Sequence, residues 1–162
     1  WTFNLLDSHD TARILTLCNG NKELMKSVMT FMFLQKGSPC IYYGTEVGMT
    51  GGEDPDCRKC MVWEKEKQDL ELFGFIKELV SLRKQLSKIL SEGATQWLIV
   101  NDREDKLYFV RELEGQIIHI YFNQSAEPWI VEQENEVILS QNCQLLEDGK
   151  AEIQQYGFLI MC

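Results

Sequence analysis

The sequence is short of basic charge. Lys and Arg together number 16 against 25 Asp and Glu, for a formal net charge of -9, and no cluster of Lys and Arg could neutralise a row of phosphates. That excludes a nucleic-acid partner and favours neutral ones. Apolar runs are short as well: none approaches the ~20 residues of a membrane-spanning helix, so no membrane partner is expected. Only 3 Pro against 44% hydrophobic residues removes the compositional signature of disorder. The opening Trp1-Thr2-Phe3-Asn4 lacks an initiator Met and the basic-then-apolar pattern of a signal peptide, so the sequence reads as cut from something longer.

Metal-binding patterns are lacking too. Cys57-Arg58-Lys59-Cys60 has the CxxC form, but no second CxxC or HxxxH pair supplies the other ligands that a structural zinc requires. No βαβ pattern surrounds it to suggest thioredoxin-like redox chemistry. No metal is expected, and Cys57 and Cys60 read as two loop thiols. The 6 cysteines are scattered through a chain too long and apolar to need a disulfide framework, so reduced thiols in a cytoplasmic protein are expected.

Two kinds of patterning are present. Phe3 to Leu6 is a short apolar-leaning run that ends in Asp7-Ser8-His9-Asp10, as a buried strand does when it delivers polar side chains to a loop. From Lys22 to Gln35 the apolar residues Leu24, Val28, Met29, Met32 and Phe33 recur at helical spacing, with Asn21 as cap and Gly37 as stop. Pro39 to Gly44 is a continuous apolar run that suits a strand buried on both faces. Strand, helix, strand predicts an α/β architecture with adjacent parallel strands at Thr2–Leu6 and Cys40–Tyr43. A long Gly-rich and acidic loop follows from Thr45 to Trp63, the kind that carries function. An apolar stripe of Leu72, Phe73, Ile76, Leu79, Val80, Leu82 and Leu86 then predicts a second helix over 67–90.

Composition changes at Ser91-Glu92-Gly93, which predicts a boundary between domains 1–90 and 91–162. Beyond it, Trp97–Val100, Leu107–Arg111, Ile117–Phe122, Trp129–Val131, Val137–Leu139 and Phe158–Met161 read as strands between turn signals. Their spacing predicts an antiparallel β-sandwich, with Trp97 and Trp129 mostly buried. The predicted fold class is therefore α/β plus all-β. His119, inside an apolar strand, reads as a half-buried strand residue.

A lone His-Asp dipeptide is weak evidence, but three segments in order are not. Asn4-Leu5-Leu6-Asp7-Ser8-His9-Asp10-Thr11-Ala12-Arg13 resembles the fourth conserved region of the α-amylase superfamily, at the end of the seventh strand of its (β/α)8 barrel. Gly37 to Met49 resembles that barrel's eighth strand and the loop after it. Thr50 to Trp63, containing Asp54-Pro55-Asp56-Cys57-Arg58, is similar to the neopullulanase, cyclomaltodextrinase and maltogenic amylase group. The resemblance implies the last two strand-helix units of the barrel followed by a C-terminal β-sandwich, and it is most specific up to Trp63.

The resemblance also implies a retaining glycosidase acting on α-1,4 bonds of maltodextrins, cyclodextrins or pullulan, without an organic cofactor. Such chemistry needs a nucleophile and an acid/base about 5 Å apart around an oxocarbenium-like transition state, and in the family both lie on earlier strands. The third family carboxylate, which stabilises that transition state, corresponds to Asp10. His9 and Arg13 correspond to substrate-binding positions, although an Arg just past a strand end also pairs readily with a carboxylate such as Asp7. Glu46 and Arg58 either shape the cleft or form a salt-linked loop scaffold. By itself the chain is expected to be inactive. Two alternatives stay open: a non-catalytic relative that keeps the barrel, and a carbohydrate-binding module using Trp97, Trp129 and Tyr108. Homo-oligomerisation is left open as well.

Overall fold

A computed structural model describes residues 2–101 and 103–162. They fold as two compact units, 1–87 and 88–162.

In the first unit, β1 (Phe3–Asn4) pairs parallel with β2 (Ser38–Pro39), with Phe3 opposite Ser38 and Asn4 opposite Pro39. Ser38 N–H donates to Thr2 and Cys40 N–H to Asn4, at 2.9 and 2.8 Å. The parallel pairing expected from the sequence is present, but the ladder lies earlier than Cys40–Tyr43. Beyond Asn4 the first strand turns away, and Ile41 onward has no strand to pair with among the described residues. Nor is the sheet buried: Phe3 is 78% and Leu5 51% exposed, since among the described residues no further strand extends the two-stranded ribbon.

The connection runs through the short α1 (Ile14–Leu17) and α2 (Lys22–Leu34). Asn21 caps α2 by accepting from the Leu24 N–H at 3.0 Å. Its core face is Met25, Met29, Met32 and Phe33, while Leu24 and Val28 of the predicted stripe are only half-buried. The helix predicted over 67–90 is two helices, α3 (Leu70–Gln85) and α4 (Ser87–Glu92). Asp69 starts α3 by accepting from the Leu72 N–H at 2.9 Å, and the preceding Lys65–Lys67 forms a 3-10 turn. Leu72, Ile76, Leu79 and Leu82 are its buried face. Lys26, nearly buried on α2, reaches Glu71 of α3 at 2.8 Å, and Arg83 of α3 donates to the carbonyls of Phe33 and Gln35 at the end of α2.

The second unit is antiparallel. Strands β3 (Ala94–Asn101), β4 (Lys106–Leu113), β5 (Gln116–Asn123), β6 (Trp129–Glu132), β7 (Val137–Leu145) and β8 (Lys150–Met161) form one hydrogen-bonded set in the order β3-β4-β5-β8-β6, with β7 also on β8. One strand, β8, makes this possible by changing partners. The first part of β8 pairs with β6 and its last part with β5, while β7 follows it along both. The change falls at Tyr156, which has φ 57°, and at the β7 bulge around Asn142, which has φ 45°. Gly157 is required there, since a Cβ would meet the Asn142 carbonyl at 2.7 Å. Val131, Ala151, Ile153, Leu159 and Met161 form a core against one face of β8, and Phe158 and Ile160 on the other face are fully buried too.

Trp97 departs from expectation, being 47% exposed. It sits on β3, the edge of the set, with its ring against Phe109 at 4.7 Å and, among the described residues, no strand beyond it. Trp129 and His119 are half-buried. No helix among the described residues is long and apolar enough to cross a membrane.

Candidate functional site

The segment Asp7 to Arg13 leaves the end of β1 and turns back into α1. Asp7 is buried, and its Oδ2 accepts from the Ile14 N–H at 3.0 Å and from the Thr45 hydroxyl at 2.8 Å. Within the turn, Thr11 Oγ1 accepts from the Ser8 N–H at 2.9 Å, and Ser8 Oγ accepts from the Asp10 N–H at 3.1 Å. Small hydroxyl side chains thus satisfy backbone donors that the turn leaves without a ladder. The result is a fixed turn that pushes two side chains outward. His9 and Asp10 side chains are 65% and 66% exposed, with His9 Nε2 3.1 Å from Asp10 Oδ2.

The long loop closes on this turn from the other side. Gly51 gives the close approach: its carbonyl accepts from the Arg13 N–H at 2.9 Å, and a Cβ there would meet the Asp56 carbonyl at 2.6 Å. Asp56 bonds the Gly52 N–H at 2.7 Å and Lys59 Nζ at 2.8 Å. Lys59 first, then that N–H, hold its carboxyl below the usual carboxylate range. Arg58 Nε lies 2.9 Å from Asp54 Oδ1 and 3.0 Å from the His9 carbonyl, and its Nη2 lies 3.4 Å from Asp10 Oδ1. Cys57 is fully buried, and its thiol donates to the same His9 carbonyl at 3.2 Å.

Of the sequence candidates, His9 and Asp10 are brought together on one exposed turn. Arg13 is placed differently. It is fully buried, with Nε donating to the Cys57 carbonyl at 3.1 Å and Nη1 to the Tyr43 carbonyl at 2.5 Å. The Tyr42 and Tyr43 rings face its guanidinium carbon at 4.5 and 4.8 Å. In this structure it therefore offers no surface to a sugar, and it makes no ion pair with Asp7, whose carboxylate is taken by Ile14 and Thr45. Arg58 forms the salt-linked scaffold and also touches Asp10. Glu46 lies apart, lining a groove of about 560 Å³ with Ile41, Tyr43, Phe73, Ile76 and Val80.

Sequence reasoning missed Cys57, read as a loop thiol. No local signal marks it, because its role depends on a contact with His9 across 48 positions. All six cysteines are free, and among the described residues no group of three or more His, Cys, Asp or Glu is arranged to hold a metal. The aromatic rings of the second unit are mostly used on one another. Tyr108 stacks on Tyr121 at 4.1 Å and bonds His119 Nδ1 through its hydroxyl at 2.8 Å, while Tyr121 meets Trp129 edge-on at 5.6 Å. Ring faces occupied in this way are not platforms for a sugar.

Comparison with known proteins places this geometry in context. A family model for the alpha amylase catalytic domain matches residues 1–93. The intracellular maltogenic amylase of Bacillus subtilis (strain 168) is 52% identical over 122 residues, 75% of this chain and 21% of that protein. A cyclomaltodextrinase of Geobacillus thermopakistaniensis is 46% identical over 125 residues, 77% of this chain and 21% of that protein. Among solved structures, a cyclomaltodextrinase superposes with a TM-score of 0.77 at 35% identity, covering 98% of this chain and 28% of that one. The maltogenic amylase from S. marinus superposes with a TM-score of 0.74 at 30% identity, covering 97% and 22%. The chain thus spans about a fifth of the length of the curated relatives it matches.

Proposed function

Because the chain belongs to the α-amylase family, we propose that it supplies the last two strand-helix units of a (β/α)8 barrel, over 1–90, and the C-terminal β-sandwich, over 91–162, of a retaining α-glucan hydrolase. The substrates are the α-1,4-linked maltodextrins, cyclodextrins or pullulan, and the setting is cytoplasmic. In this reading β1 and β2 are the barrel's seventh and eighth strands, and the turn after β1 lies at the C-terminal end of the barrel, where such folds carry their active sites.

The observation that carries the reading is the presentation of His9 and Asp10. Both side chains are outward and more than half exposed, on a turn whose backbone is fixed from beneath by buried Asp7 and Cys57. A carboxylate held this way stabilises positive charge that develops on a sugar ring without first having to reorganise. The Arg58 guanidinium beside it, at 3.4 Å, restricts where it points. His9 meets Asp10 through Nε2, at 3.1 Å, and leaves Nδ1 to bond a hydroxyl of the same sugar. Arg13 acts beneath the site as a brace.

The chemistry also requires a nucleophile and a general acid about 5 Å apart. Those roles fall to carboxylates on the earlier strands of the complete barrel.

The test is Asp10→Asn in the complete enzyme. We expect kcat to fall by roughly 10²–10³ with KM little changed, since the lost charge matters most when the ring becomes cationic. His9→Ala gives a smaller loss, part of it in KM. Equal effects on kcat and KM for Asp10→Asn would mean ground-state binding alone and would defeat the proposed role.

A further inference from the structure

Both ends of the segment from His9 to Arg13 are tied to one residue. The His9 carbonyl accepts the Cys57 thiol at 3.2 Å, and Arg13 Nε donates to the Cys57 carbonyl at 3.1 Å. Asp10 lies between these ties. Cys57 is itself closely packed: it is fully buried, its Cα would lie 3.0 Å from a Cβ on Gly51, and it sits in the 3-10 turn Asp56–Arg58. From this geometry we infer that Cys57 is a positioning residue for the proposed reaction, acting as a clasp that fixes the direction in which Asp10 points.

The physical logic is that of two lone pairs on one oxygen. The His9 carbonyl accepts from Cys57 and also from Arg58 Nε, at 3.0 Å, so its capacity is filled and the peptide linking His9 to Asp10 is held against rotation. Rotation of that peptide would swing the Asp10 carboxylate away from its place by more than the tolerance that charge stabilisation permits. The thiol is a weak donor, but it is shielded from water, where no solvent competes for the carbonyl. Serine would keep the donor. Valine would keep the bulk and lose it.

This inference rests on the role proposed above for Asp10, and the experiment separates the two. In the complete enzyme, Cys57→Val should lower kcat by about three- to tenfold, the rate equivalent of one neutral hydrogen bond, with KM changed less than about twofold. Cys57→Ser should recover most of that loss. Amide exchange over residues 8–12 should quicken in the valine variant and not in the serine variant. If valine packs too poorly to fold, Cys57→Ala against Cys57→Ser poses the same comparison. Equal kcat values for the donor and non-donor variants, or a lowered melting temperature with unchanged kcat and unchanged exchange, would overturn the clasp. An active Asp10→Asn enzyme would instead overturn the role of Asp10, and the exchange rates would still decide whether Cys57 holds the turn.

Discussion

Thr45 donates its hydroxyl to the carboxylate of Asp7 at 2.8 Å, both residues buried and 38 positions apart. The bond joins the turn that follows β1 to the loop that follows β2, and so fixes the spacing of the two segments that frame the candidate site. The same Asp7 oxygen accepts the first free N–H of α1, from Ile14, which four-residue helices can ill spare. Asp7→Ala removes one acceptor and leaves two buried donors empty, at a cost of about 2–4 kcal/mol. Hydrogen exchange at the Ile14–Leu17 amides should accelerate by at least about tenfold in Asp7→Ala, with Asp7→Asn intermediate because its amide oxygen still accepts. Unchanged exchange in the alanine variant would show that Asp7 is not the anchor.

Asp69 gives a pH prediction. Burial raises its pKa, but the Leu72 N–H and Lys22 outweigh burial and hold the carboxyl below the usual range. A carboxylate whose folded pKa is depressed adds stability that is fully present above its unfolded pKa, about 4, and is lost as pH falls through the lower folded value. The thermal midpoint of wild type should therefore exceed that of Asp69→Asn above about pH 4, and the gap should close toward pH 2–3. Asparagine still caps a helix, so this variant isolates the charge; Asp69→Ala loses the cap as well, about 1 kcal/mol at all pH values. A gap that widens on acidification would contradict the assignment.

Arg83 ties α3 to the end of α2. Its Nη1 donates to the carbonyls of Phe33 and Gln35 at 2.6 and 2.7 Å and its Nη2 to Gly37, groups that the helix end and the approach to β2 leave without a ladder. Arg83→Met keeps most of the aliphatic stem and removes every donor, so we expect a loss of about 2 kcal/mol and faster proteolysis near Gln35–Gly37. Lysine, with one donor centre in place of a fork, should recover only part of it. Full recovery by lysine would mean that charge near the helix end, not the forked geometry, supplies the stability.

Much of this was legible from short-range signals. Asn21 and Asp69 act within one helical turn, so local spacing finds the first directly. The strands of the second unit show as apolar runs, but their ends do not. Ser140 to Leu145 extend β7 and Lys150 to Gln155 begin β8 with mostly polar residues that carry little strand signal, because the pairing of β7 with β8, and of β8 with β6, holds them in the ladder. The break at Leu86 likewise lies inside an unbroken apolar stripe. At the site, His9 and Asp10 were legible because a motif is a local string. The burial of Arg13 and the contact from Cys57 were not, since both depend on how the loop of 45–63 folds back, and no periodicity encodes that.

The last prediction concerns the chain as it stands. Assayed with maltoheptaose, β-cyclodextrin and pullulan, it should release no reducing ends above an Asp10→Asn control. Stabilising an oxocarbenium ion cannot help unless another group attacks the ring and a third protonates the leaving oxygen, and the side chains described against the Asp10 carboxylate are those of His9 and Arg58. The surface leads to the same expectation from another direction. The sheet of β1 and β2 has both outer edges unpaired among the described residues, Phe3 and Leu17 are 78% and 58% exposed, and the groove beside Phe73 and Ile76 is open. Unpaired edges and uncovered apolar side chains favour self-association, so sedimentation should show mass rising with concentration. Adding the rest of the barrel in trans should suppress that association, since it would cover the same edges, and activity should appear with it. Turnover by the chain alone, lost in Asp10→Asn, would mean that a carboxylate within this sequence completes the site, and the division of roles proposed for the barrel would be wrong.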